Sequence, residues 1–426
     1  MDSSTSSAHI GQRFPSEKKI VPDPVTGIPL SFLTSKPLGD SKIYQTHPQW
    51  TSDGQWIIFR SRRASGQAFA VHETSGDIVQ VTENGFTGML CIAQKSMRLF
   101  HLRPAPNLAS PSDGSPAPVP PPLEVVAIDL ETLFADSRAG TLEPVAYYEQ
   151  VFAALPPDMG AAGDLALDAT EEVVYFRVTG KEAAKHISPD TKIEPKFGPR
   201  NMGAGPSGIG SMNLQTGEVK IVVVVPFQVG HIQTNPFVPG EIVFSWETGG
   251  KAPQRTWTVM ADGTGLRPIY PEAPYDWVTH EAVITRDEVA LAILGHRPPG
   301  TNDAWGISGT REHATGLGIV NLRTHELYIA GQIKTGSGFW HVNGSPDGRW
   351  GVGDDFDRNI YLIDRHTNEM MLLSTGHKET AGDHPHPTFS ADSTRIQIQS
   401  AMLSEDDRTL NICVIPVPES WLKRTY

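Results

Sequence analysis

A short pattern that recurs along the chain constrains its fold more than any other feature. A histidine is followed six residues later by an aspartate, then by glycine or serine and an apolar stretch, in the segments that begin at His47, His341 and His386. An aspartate–glycine pair between two apolar stretches is typical of a turn that joins two β-strands. The recurrence predicts a fold assembled from several copies of one small antiparallel sheet.

Looser copies bring the number of units to seven. Those that begin at His231 and His280 keep the histidine, and those that begin at Gly88 and Gly163 lack it. The unit starts lie near residues 47, 88, 163, 231, 280, 341 and 386. Each unit has about four strands, and spacings of roughly 40–75 residues suit propeller blades that carry loop insertions. The sequence therefore predicts an all-β fold, a seven-bladed β-propeller of four-stranded antiparallel blades.

The units are expected to form one domain. We assign residues 1–20 to an N-terminal tail and residues 21–426 to a single propeller domain. Within it, residues 27–35 can add an outer strand to the last blade and so close the ring. Long loops in a compact domain are often functional, and stretches rich in glycine, proline or serine predict them at residues 104–122, 182–210 and 295–316.

The composition excludes several classes of protein. The formal net charge of −13 argues against a nucleic-acid binder, which needs a basic surface. No apolar run approaches the ~18 residues of a transmembrane helix, so we expect no membrane span. Cys91 and Cys413 are too few for a disulfide framework. The first residues lack the apolar segment of a secretory signal, and we therefore expect a cytoplasmic protein.

The recurring histidines predict a functional site. The first strand of each propeller blade lines the central channel, so residues at equivalent positions of that strand point at one axis. His384 joins them because residues i and i+2 of a strand face the same side. A site rich in histidine and free of cysteine suits Mn, Fe, Ni, Cu or Zn, and Asp383 or Glu281 can add an oxygen ligand or orient an imidazole. The histidines predicted to meet are His47, His231, His280, His341, His384 and His386.

Structural roles compete with this interpretation. A histidine at the start of a strand is often only a hydrogen-bonded residue that covers a turn. We expect the histidines that fall in tails or turns, such as His9, His72, His325, His366 and His377, to be solvated. Tryptophans near the predicted mouth can stack on sugars or pack between blades, and packing is the more common role; they are Trp246, Trp257, Trp277 and Trp340. No G-x-S-x-G, phosphate-loop or HExxH motif is present.

The order of these motifs resembles a known family. The units resemble the TolB-like propeller repeat, and their order from about residue 20 to residue 420 resembles the oligogalacturonate lyases, seven-bladed propeller polysaccharide lyases. The segments that carry the resemblance are KIYQTHPQWTSDGQWIIFRSRR, GHIQTNPFVPGEIVFSWE, DWVTHEAV, FWHVNGSPDGRWGVGD and DHPHPTFSAD.

This resemblance implies a manganese-type divalent ion held by three histidines and a glutamine. His280, His384 and His386 match the histidine ligands, whereas the glutamine position is occupied by Ala381. Asp383, Gln49 or Gln233 are the residues that can compensate for it.

The resemblance also implies a general base and a residue that grips a carboxylate. The base corresponds to His231, with His47 as the alternative, and Arg200 is the nearest candidate for the substrate-binding arginine. We further expect substrate contacts from Gln233, Arg255, Trp340 and His341.

The predicted activity is cleavage of a uronic-acid oligosaccharide by β-elimination, with an oligogalacturonide-like or rhamnose–glucuronate-type substrate and an unsaturated uronide as product. The acidic oligosaccharide is the expected partner, and a monomer or a homodimer is expected. A protein of another class stays open: a non-catalytic TolB-like propeller that binds a protein or a glycan.

Overall fold

The computed structural model describes residues 9–64, 66–105, 122–160, 163–273, 276–296, 315–332 and 338–426. These residues form seven antiparallel sheets, each a four- or five-stranded meander. The innermost strands of the second to seventh blades contact one another in succession around a central channel, and the first blade contacts the last. The predicted seven-bladed β-propeller is therefore confirmed.

Three N-terminal strands extend the sheets of the first and last blades: β1 (Arg13–Phe14) belongs to the first, and β2 (Lys19–Pro22) and β3 (Pro29–Phe32) belong to the last. β1 pairs with the outer strand of the first blade. β3 pairs with the C-terminal strand, placing Ser31 opposite Val414 and Phe32 opposite Cys413. The predicted closing strand within residues 27–35 is confirmed. Residues 1–20, assigned to a tail, thus also contribute strand residues to two blades.

The blades follow one another along the chain. Blade 1 contains β4 (Ser41–Lys42), β5 (Trp56–Ser61), β6 (Gln67–His72) and β7 (Ile78–Gln80). Blade 2 contains β8 (Thr87–Ile92), β9 (Arg98–Pro104), β10 (Leu123–Asp129) and β11 (Glu149–Ala154). Blade 3 contains β12 (Leu165–Leu167), β13 (Val173–Val178), β14 (Ala204–Asn213) and β15 (Val219–Phe227). Short helices are inserted in blades 2 and 3, namely α1 (Leu130–Ala139), α2 (Val145–Tyr148) and α3 (Gly180–Ala183).

The next four blades complete the ring. Blade 4 contains β16 (Val229–Thr234), β17 (Glu241–Trp246), β18 (Thr256–Met260) and β19 (Arg267–Pro268), and blade 5 contains β20 (Asp276–Thr285), β21 (Glu288–His296), β22 (Thr315–Asn321) and β23 (Leu327–Ala330). Blade 6 contains β24 (Phe339–Gly344), β25 (Trp350–Asp355), β26 (Ile360–Asp364) and β27 (Met370–Ser374). Blade 7 contains β28 (Thr388–Phe389), β29 (Arg395–Ser400) and β30 (Asn411–Pro416), and α4 (Glu419–Leu422) follows it. No helix in the described part of the chain has the length and apolar character needed to cross a bilayer.

The predicted loops are only partly loops. The stretch 182–210 ends inside β14, which begins at Ala204. Most of 104–122 and of 295–316 lies outside the described residues.

The aspartate of the repeat stabilises the turn between the first two strands of a blade. In blades 1, 6 and 7 its Oδ1 accepts a hydrogen bond from the hydroxyl two residues earlier and from the backbone N–H two residues later. Such side-chain bonds favour turns over continued strand. These residues are Asp53, Asp347 and Asp392.

The core lies between the blades, where the apolar faces of neighbouring sheets pack. At the closing seam, Phe32 of β3 packs in one cluster with Trp350 of blade 6 and Ile396 of blade 7, and all three are fully buried. Cys91 and Cys413 are free and buried, so neither takes part in a disulfide.

Candidate active site

A pocket of about 530 Å³ opens where the inner strands of blades 3 to 7 begin. Its wall includes four residues named from the sequence, His231, His280, His341 and His386, together with Tyr44 from blade 1. The central channel of a propeller therefore carries histidines at one mouth, as the sequence predicted.

The local backbone explains how these side chains turn inward. His231, His280 and His386 have positive φ angles of 51°, 54° and 50°. The ladders of blades 4 and 5 slip at the same points, as at β-bulges. Bulges re-aim side chains, and non-glycine residues with positive φ are uncommon and concentrate at functional sites.

Blades 2 and 3 reach a similar conformation with glycine. Gly88 and Gly163 stand at the unit starts where other blades have histidine, and their φ angles are 72° and 90°. Met89 N donates to Gly163 O at 3.0 Å, which brings the two backbones together.

The imidazoles of blades 4 to 7 form one cluster. Ring centroids are 3.7 Å apart for His341 and His386, 4.1 Å for His280 and His341, and 5.2 Å for His341 and His384. His231 lies at the end of this series, 6.4 Å from His280. Five of the six histidines predicted to meet are therefore brought together.

His47 is the exception. β4 ends at Lys42, and residues 43–49 leave the sheet before Trp50 pairs with Ile57. The Nε2 of His47 lies 2.8 Å from the carbonyl oxygen of Leu165, and the side chain lines a second cavity of about 580 Å³. Burial lowers the pKa of His47 to about 4. The structure therefore places His47 away from the histidine cluster.

We call residues 43–49 the channel-crossing segment. The side-chain amide of Gln45 donates to His280 O and Val342 O, both at 3.1 Å. The amide of Gln49 donates to Tyr44 O at 3.2 Å and to His47 O at 2.7 Å. Tyr44 lines the pocket with the histidines, whereas the residues after it line the second cavity, so the segment separates the two.

One group in the cluster has the arrangement of a metal site. Ligand atoms of His341, Asp354 and His384 all lie within 4.8 Å of one another. Asp354 is fully buried, and its Oδ2 is 3.2 Å from Nδ1 of both histidines. Burial opposes charge on Asp354, but the two histidines hold the pKa of the carboxyl well below its usual range.

Of the three predicted metal ligands, only His384 belongs to this group. Burial, and next to it the proximity of the His341 imidazole, hold the pKa of His280 well below its usual value, and its Nδ1 contacts Trp340 O. His386 is buried, and its ring nitrogens make no aligned hydrogen bond within the described residues, although Asp383 Oδ2 lies 3.1 Å from Nε2. Its Nε2 therefore faces a carboxylate, and Nδ1 is the ring nitrogen without a partner among the described residues.

Asp354 was missed by the sequence analysis. It stands at the fifth position of β25, a strand whose six residues are all buried. Two consecutive aspartates at the end of a short apolar strand are the signal that could have identified it, because buried carboxylates need a partner.

His231 stands between two carboxylates. Its Nε2 lies 3.0 Å from Glu247 Oε2, and its Nδ1 lies 3.6 Å from Glu281 Oε1. Burial disfavours charge on the ring, but the hydrogen bond to Glu247 and the charge on Glu281 raise the pKa of His231 above its usual value. Arg255 balances the two carboxylates, with Nε 3.1 Å from Glu281 and a terminal nitrogen 3.5 Å from Glu247.

The ion pairs around His231 bear on the predicted roles of Arg255 and Glu281. Arg255 is buried and already paired with Glu281 and Glu247, so it acts on His231 rather than as a free grip for substrate. Glu281 approaches His231 and Arg255, which agrees with the expectation that it orients an imidazole.

Two further arginines line the pocket. Arg200 is exposed, and the described residues place no carboxylate within salt-bridge distance of it. Its side chain packs over Gly249, where a Cβ would lie 2.5 Å from Arg200 Cδ. Arg177, which the sequence analysis did not single out, has its Nε 3.2 Å from Asp164 Oδ2.

The remaining predicted contacts divide between pocket and core. Trp340 lines the pocket beside Trp277, and its ring is 4.9 Å from that of the exposed Phe356. Trp246 is buried among core residues, in line with blade packing. Gln233 lies outside the pocket wall, since its amide donates to Glu281 O and accepts from Val283 N. It joins blade 4 to blade 5.

One histidine predicted to be solvated is buried. His377 is 1% exposed, and its two ring nitrogens each lie 2.8 Å from a serine hydroxyl, those of Ser374 and Ser400. That prediction was wrong for His377, because the turn that carries it folds back onto blade 7.

Comparison with known proteins supports the fold at low sequence identity. No protein-family model and no curated protein matches the sequence. An oligogalacturonate lyase in complex with manganese superposes with a TM-score of 0.73 at 17% identity, covering 98% of this chain and 100% of that one. An oligogalacturonate lyase from Vibrio parahaemolyticus gives 0.71 at 19% identity, with 97% and 100% covered. The seven-bladed fold of this chain is thus shared, over nearly its full length, with two oligogalacturonate lyases.

Proposed function

We propose that this chain is a polysaccharide lyase that cleaves uronic-acid oligosaccharides by β-elimination. The observation that carries the proposal is that four histidines and three arginines line one pocket, namely His231, His280, His341, His386, Arg177, Arg200 and Arg255. The fold shared with two oligogalacturonate lyases supports it.

The reaction requires this combination of groups. Elimination removes the proton on C5 of the uronic acid, which is weakly acidic while the adjacent carboxylate is fully charged. Cationic groups that bind the carboxylate stabilise the enolate-like state. A base with a pKa near the working pH takes the proton, and an imidazole meets that requirement.

His231 is the proposed base. Its Nε2 lies beside Glu247, a residue of the pocket wall, whereas its Nδ1 faces the buried Glu281. Nε2 would therefore take the substrate proton, and Glu247 would stabilise the imidazolium that forms. Glu281 contacts His231, and Arg255 contacts Glu247. Both residues are fully or almost fully buried, so they hold the pair in place. Arg200, which lies free at the pocket wall, would bind the substrate carboxylate, with Arg177 beside it.

The donor set of the cluster fits a divalent metal ion. Neutral imidazoles are required for coordination; burial and the neighbouring His386 lower the pKa of His341 to about 3, and the pKa of His280 is also lowered. His341, Asp354 and His384 would hold the ion, with His280 and His386 adjacent. Asp354 offers the oxygen that Ala381 lacks. Imidazole donors suit Fe, Ni, Cu or Zn and the carboxylate suits manganese; the manganese complex of the similar lyase structure favours manganese. When bound, such an ion would neutralise the substrate carboxylate.

The experiment is an elimination assay combined with elemental analysis. Purified protein is mixed with oligogalacturonides and, separately, with rhamnose–glucuronate oligosaccharides, and the ultraviolet absorbance of the unsaturated uronide is followed. We expect product from one of the two and a co-purifying divalent metal. His231→Ala should abolish turnover, whereas His9→Ala, on the surface and far along the chain from the pocket, should not.

Absence of product from every uronide with metal-loaded protein would overturn the proposal. If glycans then bound equally well to wild type, His231→Ala and His384→Ala, the non-catalytic alternative would take its place.

A further inference from the structure

Tyr44 lies between the proposed base and the histidine cluster. Its ring makes edge contacts with His231 at 5.2 Å between centroids, with His386 at 5.1 Å and with His341 at 6.4 Å. The three interplanar angles lie between 63° and 88°. Tyr44 thus contacts imidazoles of three blades at the wall of one pocket.

The backbone of Tyr44 is fixed by bonds on its own segment and across the channel. Its carbonyl accepts from His47 N at 3.0 Å and from the Gln49 amide at 3.2 Å. The next residue, Gln45, is bonded to inner strands of blades 5 and 6. A residue anchored on both sides has little freedom to move away, which is the condition for a group that acts at a defined point in a reaction.

The hydroxyl of Tyr44 is available to a ligand. No hydrogen-bond partner for it is found in the described part of the chain, although its ring is packed against imidazoles. A hydroxyl at a pocket wall can donate a hydrogen bond to a bound oxygen.

Resting on the proposed lyase function, we propose that Tyr44 is the catalytic acid that protonates the departing glycosidic oxygen. As His231 takes the C5 proton, the C5–H electron pair forms the C4–C5 double bond and the C4–O4 bond breaks. The Tyr44 hydroxyl gives its proton to O4, which leaves as an alcohol. The proton now on His231 returns to the tyrosinate, directly or through a water molecule, and both groups are restored.

This assignment explains why the two residues are neighbours. The elimination neither consumes nor releases a proton overall, so the acid and the base must exchange one in each turnover. Rings 5.2 Å apart allow that exchange within the pocket. An acid on the same side of the sugar as the base corresponds to removal of the proton and the leaving group from one face, which is the arrangement of H5 and O4 in a glucuronate; in a galacturonate they lie on opposite faces. A Tyr44 acid beside the His231 base therefore implies the glucuronate-type oligosaccharide as the substrate.

The test compares poor and good leaving groups. Wild type and Tyr44→Phe are assayed with an oligouronide, whose leaving group is a sugar alkoxide, and with uronides that carry 4-O-aryl groups of graded acidity. General-acid assistance contributes about 10²–10⁴-fold. We expect Tyr44→Phe to lose at least about 100-fold in kcat on the oligouronide, and to approach wild type as the aryl leaving group becomes more acidic.

The outcomes separate this inference from the proposed function. Equal losses on both substrate types by a folded Tyr44→Phe protein would overturn the acid assignment while leaving the lyase function intact. No turnover of either substrate by wild type would overturn both. Should the variant unfold, the wild-type aryl series decides: a flat dependence on leaving-group acidity supports an acid, and a steep one overturns it.

Discussion

At the residue scale, burial sets the protonation of histidines that have no part in the proposed chemistry. His377 is enclosed between the hydroxyls of Ser374 and Ser400, and burial lowers its pKa to about 4. The unfolded chain has a histidine pKa of about 6.5. Neutral His377 is therefore favoured by folding, and its contribution is complete above pH ~6.5 and is lost as the pH falls toward ~4.

We predict that the free energy of unfolding of His377→Gln depends less on pH in the acid range than that of wild type. The lost contribution amounts to about 3 kcal/mol over that interval. Urea unfolding at pH 7.0 and 5.0 should show a smaller difference in unfolding free energy for His377→Gln than for wild type. His9→Gln, at the surface, is the control and should keep the wild-type difference. An unchanged difference in His377→Gln would contradict the prediction.

Asp354 is the residue on which metal retention should depend most. Its carboxylate lies 3.2 Å from Nδ1 of both His341 and His384. Asp354→Asn keeps the shape but removes the charge. Loss of a group that only orients metal ligands costs about 10–100-fold in metal affinity, and for the proposed ligand Asp354 we predict a loss of at least that size. Metal titration of the apoprotein measures it. Asp355→Asn is the matched control, since Asp355 bonds to Asn359 instead; equal affinities in both variants would argue against the prediction.

The site could be predicted only where it repeats. His231, His280, His341 and His386 recur at one point of a repeated unit, and ring symmetry brings equivalent points together. Asp354 and Glu247 come from second strands or the turns after them, where the repeat gives no reason to expect a charge. Their approach to the histidines depends on the packing of sheets, which local sequence does not record.

At the element scale, a left-handed residue lies in or just before the inner strand of five blades, and it is glycine in blades 2 and 3 and histidine in blades 4, 5 and 7. Gly88 has a φ of 72°, and a Cβ there would lie 2.0 Å from Gly163 O in the next blade. Gly85 has a similar φ of 76°, with nothing within 4 Å of its Cβ position. Substitutions at the two residues can therefore separate the cost of a left-handed backbone conformation from the cost of a steric clash.

We predict that Gly88→Ala destabilises the protein much more than Gly85→Ala. The strain of a left-handed alanine costs about 1 kcal/mol at either site. At Gly88 the clash with backbone adds to it, and we expect a total above about 3 kcal/mol. Chemical denaturation of both variants measures the difference. Similar losses would show that the backbones of blades 2 and 3 separate easily.

The elements also show where a repeat misleads. The unit that begins at His47 is the most regular in sequence, yet its inner strand leaves the sheet as the channel-crossing segment. The diversion depends on bonds from Gln45 and Gln49 to backbone carbonyls, including those of blades 5 and 6. Such long-range bonds are invisible to a comparison of units, so the blade starts could be predicted but the position of His47 could not.

At the scale of the whole molecule, the ring depends on a strand from the beginning of the chain. β3 lies between β30 and β2 in blade 7, so residues about 380 positions apart are paired there, Ser31 with Val414 and Phe32 with Cys413. Closure in this way pairs the C-terminal strand β30 on both sides, with β29 and with β3, so that strand is not an exposed edge; unpaired edges are sites of opening and aggregation. The seam should therefore limit local opening of the ring.

Truncation of a core residue should change native-state hydrogen exchange differently at the seam and within a blade. Phe32 and Phe244 are both fully buried, the first in β3 at the seam and the second in β17 of blade 4. Truncation of either to alanine should cost about 3–5 kcal/mol in global stability. Hydrogen exchange of the native state should differ, because Phe32→Ala weakens the pairing that closes the ring. We expect faster exchange in β3 and β30 for Phe32→Ala, with β17 protected, and the reverse for Phe244→Ala. Exchange that rises uniformly in both variants would show that the seam opens only with the whole propeller.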